Sequence, residues 1–216
     1  MEKEKMILCD IGNTHLHFYN QKSIWRVLPE HLNKSFLNDE IYYISVCREY
    51  EERLLKMSKR CCNVGSLISI DTSYAGLGVD RRAACVSVRD GVVIDAGSAI
   101  TIDIMEDSTH LGGCILPGLY AYSNAFAEIS PALKKPLHFQ VSLEDLPQAT
   151  QDAMSFGVLK GISLLVADMA KDKKIYITGG DGKFFSKLLP NSIYDEMLIF
   201  RGMEACIQKA IQKGVL

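Results

Sequence analysis

The sequence has no excess of either charge: 24 Lys and Arg against 26 Asp and Glu leave a net charge of −2. No global positive field exists to hold a polyphosphate backbone, which argues against a nucleic-acid binder. It has no long apolar run either. The longest uncharged apolar stretch, Leu111 to Ala127, is broken by Gly112, Gly113, Pro117, Gly118, Ser123 and Asn124, whereas a membrane span needs roughly 20 mostly apolar residues. The start, Met1-Glu2-Lys3-Glu4-Lys5, carries mixed charge and no apolar segment with a small-residue cleavage site, so no secretory signal is expected. Seven cysteines are present (Cys9, Cys47, Cys61, Cys62, Cys85, Cys114 and Cys206), with no C-x-x-C pair among them. That removes support for a zinc ribbon or a thioredoxin-like site. An odd number of thiols, mostly inside apolar runs, reads as reduced cysteines in a cytoplasmic protein.

Several nucleotide and hydrolase signatures are also missing. There is no G-x-x-x-x-G-K-[ST]; Gly179-Gly180-Asp181-Gly182-Lys183 is Gly-rich but lacks that spacing and the Ser/Thr. No G-x-G-x-x-G follows the first strand, and neither an H-R-D motif nor a G-x-S-x-G elbow occurs. His15-Leu16-His17 puts two imidazoles on one strand face, but no third ligand accompanies them.

What remains is an ordinary globular composition over 216 residues, with 48% hydrophobic and 23% charged residues, enough for one large domain or two small ones. Apolar runs and alternation predict strands over residues 6–10, 15–20, 23–28, 41–46 and 67–71, and helices over 48–59 and 80–88. The pattern then restarts. Strands are expected over 91–95, 101–105, 111–116, 174–177 and 193–197, and helices over 118–128, 149–171, 184–189 and 199–213. In the long helix Ala153, Phe156, Ile162, Leu165, Val166 and Met169 fall roughly on one face.

The restart is an internal repeat. Ile7-Leu8-Cys9-Asp10-Ile11-Gly12-Asn13-Thr14 lines up with Val92-Val93-Ile94-Asp95-Ala96-Gly97-Ser98-Ala99, and Tyr43-Ile44-Ser45-Val46 echoes Tyr176-Ile177-Thr178-Gly179. Duplication predicts two α/β lobes, residues 1–89 and 90–216, with mixed sheets flanked by helices and a cleft between them, where ligand sites tend to lie.

Each repeat carries an Asp at a strand end followed by x-Gly. Glycine permits a sharp turn and brings backbone N–H groups close to a ligand, and successive N–H groups form a concave anion site. Asn13, Thr14 and Ser98 add short polar side chains. Asp10 and Asp95 each supply a hard oxygen for a cation, and Mg²⁺ takes one or two carboxylates together with substrate phosphates. A single such turn is more often an ordinary hairpin; two copies at matching positions shift the balance toward a triphosphate held from both sides. A third feature, Tyr74-Ala75-Gly76-Leu77-Gly78-Val79-Asp80-Arg81, delivers an Asp and an Arg at a helix start. Asp80 suits either a helix cap or the acceptor of a hydroxyl proton, and Arg81 is a fork for a carboxylate or phosphate.

This ordered set, with Gly112-Gly113-Cys114-Ile115-Leu116-Pro117-Gly118 and Thr178-Gly179-Gly180-Asp181, resembles the type III pantothenate kinases over essentially the whole chain. That family belongs to the actin-like, sugar-kinase and Hsp70 ATPase superfamily, so the resemblance implies two RNase-H-like lobes with ATP in the cleft. It also implies an activity: ATP-dependent phosphorylation of pantothenate to 4′-phosphopantothenate, the first step of coenzyme A synthesis. By position, Asp10, Ile11, Gly12, Asn13, Thr14, His15, Leu16 and His17 are similar to the first phosphate loop, with Mg²⁺ near Asp10. Asp80 is similar to the catalytic base. Tyr74, Gly78, Val79, Asp80 and Arg81, with Thr150, are similar to the pantothenate contacts. Asp95 is similar to the residue that binds an activating monovalent cation, K⁺ or NH₄⁺. Ser98 stands where the family places an ATP-contacting Thr. The resemblance further implies a homodimer. Two alternatives are another small-molecule kinase of the superfamily and a non-catalytic nucleotide-dependent regulator.

Overall fold

The structure, a computed structural model, describes residues 6–33 and 39–216. The charged start at Met1–Lys5 lies outside the described residues. Residues 7–11 of β1 (Met6–Ile11) are all buried, as suits a strand with neighbours on both sides. β1 pairs antiparallel with β2 (Leu16–Tyr19), which pairs antiparallel with β3 (Ile24–Val27). On its other edge β1 pairs parallel with β4 (Glu40–Ser45), and β4 with β5 (Cys61–Asn63). The sheet order is β3-β2-β1-β4-β5. Alternation holds along β2: Leu16 and Phe18 are fully buried, while His17 and Tyr19 are half-buried. The charged helix α1 (Arg48–Met57) makes the crossover that parallel β4 and β5 require.

After the two-residue strand β6 (Asp71–Thr72) and helix α2 (Val79–Val86), the arrangement repeats. The elements are β7 (Gly91–Ala96), β8 (Ala99–Glu106), β9 (Thr109–Pro117), α3 (Leu119–Ile129), α4 (Thr150–Ala170), β10 (Ile175–Thr178), α5 (Gly182–Leu188), β11 (Ser192–Tyr194) and α6 (Leu198–Gln212). The second sheet has the order β11-β10-β7-β8-β9-β6. Without β6, and read from the other edge, this is the order of the first sheet. β7 is antiparallel to β8 and parallel to β10, as β1 is to β2 and β4. The duplication is therefore one of topology as well as sequence. The ladders shift one echo by a residue: Asp10 pairs with Ile44 and Asp95 with Thr178, so Ile44 corresponds to Thr178 rather than to Ile177.

Two compact units result. One comprises Met1–Arg89, Ser108–His110 and Met197–Leu216; the other comprises Asp90–Asp107 and Leu111–Glu196. Residues 108–110 and the closing helix thus belong to the first unit. Gly202 explains the helix. A Cβ there would run into the Ala83 carbonyl, so α6 lies tight against α2, and Phe200 packs on Tyr19 with ring centroids 5.5 Å apart. The first unit's core is built on Ile7, Cys9, Ile11, Leu16, Phe18, Ile41, Tyr43 and Leu54. The second is built on β7, β8 and α4.

Two expectations are corrected. Residues 67–70 are not part of a strand. Gly65–Leu67 is a 3₁₀ turn, and the Arg82 guanidinium donates to the Ile68 carbonyl at 2.5 Å, so that carbonyl is satisfied without a ladder. Only Asp71 and Thr72 pair, with Thr109 and His110. The buried face of α4 is Met154, Val158, Leu159, Ile162, Val166 and Ala170, and Ala153 is exposed. A four-residue repeat along the core side decides the rotation. Helix α4 is also long and apolar enough to cross a membrane by length and composition alone. That face lies in the second unit's core, as for the central helix of an α/β layer.

Candidate functional site

In the second unit three sequence motifs meet at one corner. The apolar run of β7 ends at Asp95-Ala96, and the Gly97 N–H closes a tight turn onto the Ala99 carbonyl at 2.9 Å. Ser98 is exposed at its tip. Pro117 ends β9, and the Gly118 N–H donates to the Ser98 carbonyl at 3.1 Å. A Cβ on Gly118 would collide with the Gly97 carbonyl and come within 2.6 Å of the Ser98 carbonyl. Thr178 sits opposite Asp95 in register, and Gly179 follows with φ +88°. A Cβ there would strike Asp95 Oδ1 and approach the Ala96 carbonyl to 2.5 Å. The Asp181 N–H donates to that same carbonyl at 2.9 Å, and burial raises the Asp181 carboxyl above its usual range. D-A-G-S, the G-G-C-I-L-P-G segment and T-G-G-D are thus neighbours because glycine lets three backbones approach.

In the first unit the matching corner is longer by one residue. Ile11 pairs with Leu16, against Ala96 with Ile100, and the Gly12 N–H closes onto the His15 carbonyl at 3.1 Å. Asp10 is 7% exposed, deeper than Asp95. Ile11 and Leu16 are fully buried core residues, whereas Asn13 and Thr14 are exposed at the tip. His15 and His17 have ring centroids 6.1 Å apart. Burial, then His15 and Arg26, lower the His17 pKa, so its neutral form is favoured. Among the described residues nothing completes a three-ligand metal set with the two histidines. Neither Gly12 nor Gly97 has positive φ, and their N–H groups are used within the turns. The glycine requirement falls on Gly118 and Gly179 instead.

The segment before α2 also belongs to the first unit. Gly76 turns with φ +75°, and Gly78 caps the helix, so Asp80 is not the cap. Asp80 lies in the first turn, where its charge suits the helix dipole. Its Oδ1 accepts the Arg81 N–H at 2.8 Å, and a Cβ at Gly78 would come within 2.5 Å of that oxygen. Glycine there makes room for the carboxylate, and Val79 opens the helix beside it. Arg81, only 5% exposed, lies over the Tyr74 ring at 4.9 Å from the centroid and reaches the Tyr74 hydroxyl at 3.4 Å. The structure therefore brings Tyr74, Asp80 and Arg81 together. It also adds two residues that no sequence motif contains: Thr72 and the buried His110. Two residues are too few for a strand pattern, so the pairing that places them is silent in the sequence.

Thr150 is the exposed first residue of α4. The next turn is braced by a preceding loop. The Gln151 amide donates to the Pro136 carbonyl at 3.0 Å, His138 Nδ1 lies 2.7 Å from Asp152 Oδ1, and the His138 N–H donates to the Ser155 hydroxyl at 2.6 Å.

Comparison with known proteins gives first the class and then the family. A structure described as a 2-dehydro-3-deoxygalactonokinase from Sinorhizobium meliloti is 10% identical, with a TM-score of 0.55, covering 94% of this chain and 96% of its own. At that identity the likeness shows the fold alone, an actin-like, sugar-kinase-type α/β fold. The family model for type III pantothenate kinase matches residues 19–172. A type III pantothenate kinase from Helicobacter hepaticus is 50% identical over 206 residues, covering 95% of this chain and 100% of the relative. One from Wolinella succinogenes is 46% identical over 198 residues, covering 92% and 94%. A solved chain described as a conserved Baf family transcriptional activator from Campylobacter jejuni is 45% identical, with a TM-score of 0.82, covering 95% and 99%. The chain belongs to the type III pantothenate kinase family.

Proposed function

We propose that this protein transfers the γ-phosphoryl group of ATP to the primary hydroxyl of pantothenate, giving 4′-phosphopantothenate and ADP. The observation that carries the reading is the shared neighbourhood of Tyr74, Asp80 and Arg81 in a chain of this family. Phosphoryl transfer asks a protein for positioning and charge stabilisation more than covalent chemistry. Asp80 orients the hydroxyl and accepts its proton. Arg81 and Tyr74, with Gly78, Val79 and Thr150, hold the acid. Asn13, Thr14 and Ser98 offer the polar groups for the phosphates, since the Gly12 and Gly97 N–H groups close their own turns.

The donor sets fit the expected ions. At the second corner Asp95 Oδ1 and the Ala96 carbonyl both lie against Gly179, while the Gly97 and Ser98 carbonyls lie against Gly118. Such hard oxygens suit a monovalent cation such as K⁺ or NH₄⁺. Asp10 offers a carboxylate for the Mg²⁺ that accompanies ATP. When bound, these ions offset phosphate charge.

A homodimer in the cytoplasm completes the reading. A groove of about 300 Å³ between α3 and α4, lined by Leu116, Tyr122, Phe126, Val158, Ile162 and Leu165, provides an apolar face. None of the seven cysteines is joined in a disulfide, in keeping with a reducing compartment.

The test is pantothenate-dependent ADP release with and without K⁺, for the wild type and Asp80→Asn. The expected results are K⁺-stimulated release and a kcat lowered roughly 10²–10⁴-fold in the variant, with pantothenate binding largely kept. An Asn variant with near-normal turnover removes Asp80 from the role, and release indifferent to pantothenate removes the substrate.

A further inference from the structure

We propose that Thr72 and His110 are positioning residues for the acid-binding side of this site, fixing the Tyr74 ring and through it the Arg81 guanidinium. The proposal rests on the reading of Tyr74 and Arg81 as pantothenate contacts.

The segment from Ser73 to Gly78 has no regular structure of its own and turns through Gly76. It is held at its start by β6. There Asp71 pairs with Thr109 and Thr72 with His110, and the Thr109 hydroxyl donates to Asp71 Oδ2 at 3.1 Å. The Thr72 hydroxyl oxygen then makes two bonds. It accepts the Tyr74 N–H at 3.0 Å and lies 2.8 Å from His110 Nδ1. His110 is 1% exposed, so this bond is one of the buried contacts that hold its ring. Its ring meets the Tyr74 ring edge-on, with centroids 5.9 Å apart at 62°, a favoured aromatic geometry. Tyr74 is thus held at its backbone by Thr72 and at its ring by His110.

Arg81 completes the chain of contacts. Its guanidinium lies over the face of Tyr74 and its Nη1 reaches the hydroxyl. A buried guanidinium aimed at a carboxylate must be oriented before the substrate arrives, or binding bears the cost of ordering it. The hydroxyl of Thr72 is where that orientation begins. A loop anchor of purely structural purpose would affect stability and both substrates alike. An anchor that sets Arg81 affects the acid alone.

The experiment is steady-state kinetics of Thr72→Val, Thr72→Ser and His110→Asn against each substrate, with Tm recorded. Thr72→Val keeps the shape and removes the hydroxyl. It is expected to raise the KM for pantothenate about tenfold, the scale of a hydrogen bond to a charged network, with kcat and the KM for ATP within about twofold of wild type. Thr72→Ser, which keeps the oxygen, restores the wild-type KM. His110→Asn raises the pantothenate KM in the same selective way and supplies the readout if Thr72→Val does not fold. Unchanged pantothenate KM in both Thr72→Val and His110→Asn overturns the proposal, as does an equal rise for both substrates. Arg81→Gln separates the underlying reading. If it leaves pantothenate KM unchanged, the assignment of the acid site fails. If it raises that KM while Thr72→Val does not, the positioning role alone fails.

Discussion

The two Asp-x-Gly corners share a topology and differ in how they are enclosed. At the first, Asp10 is buried among β2 and β4, the turn has an extra residue, and Gly12 has ordinary room: a Cβ there meets only the His15 carbonyl at 3.4 Å. At the second, Asp95 is less buried, the turn is tighter, and two further glycine segments press their backbones against it. The first corner is built by side-chain burial and the second by backbone approach. Duplicated sequence fixes where an acidic corner falls; the neighbouring segments decide what it tolerates and what it can bind.

The sharpest way to break that contrast is to add a methyl group. Gly118→Ala and Gly179→Ala place a Cβ into backbone oxygens, and for Gly179 also into left-handed φ. Each is expected to lower stability by more than about 3 kcal/mol. Gly12→Ala and Gly97→Ala should stay within about 1 kcal/mol of wild type. Urea unfolding of the four variants measures this. Equal losses at all four would erase the distinction between the corners.

A smaller effect concerns activity at the second corner. Asp95→Asn is expected to lower kcat/KM roughly 10²-fold, the scale of losing one preorganised charge near developing negative charge, and to abolish stimulation by K⁺. Ser98→Ala should cost about tenfold, one hydrogen bond to a charged group, with K⁺ stimulation intact. Loss of K⁺ response in Ser98→Ala, or its survival in Asp95→Asn, would move the cation elsewhere.

The smallest expected effects are in pH dependence, and they have opposite signs. His17, beside the first corner, has its pKa lowered in the fold chiefly by burial. The unfolded chain then binds the proton more readily, so the stability tied to neutral His17 is present above 6.5 and lost as pH falls through its folded value. Asp181, beside the second corner, has its pKa raised by burial. Its contribution is present below 3.8 and lost as pH rises through the folded value. Tm measured from pH 4 to 8 should show His17→Asn flattening the acid side and Asp181→Asn gaining stability at neutral pH. The reverse pattern would contradict both assignments.

Much of this was legible in residues. The corners stand out because a charge ending an apolar run must be solvated, paired or bound to a cation, and because β2 alternates cleanly. The face of α4 was not legible. With apolar residues nearly all round, periodicity alone does not say which side meets the sheet, and packing against β7 and β8 decides it. Nor was the Thr72–His110 pairing. It joins residues 38 apart through a strand of two residues, and local pattern carries no signal for so short a ladder. Arg82 makes a similar point, since its side chain takes the Ile68 carbonyl where the apolar run at Leu67–Asp71 leads one to expect a ladder partner.

The central claim is that Asp10 and Asp95, proposed as cation-binding carboxylates, are each needed for ATP–Mg²⁺ binding. Calorimetric titration of ATP–Mg²⁺ into the wild type, Asp10→Asn and Asp95→Asn, each with K⁺ present, tests it most directly. One binding event per chain, weakened in each variant, is the expected result. An affinity that either substitution leaves untouched, with pantothenate-dependent turnover also unchanged, would contradict it.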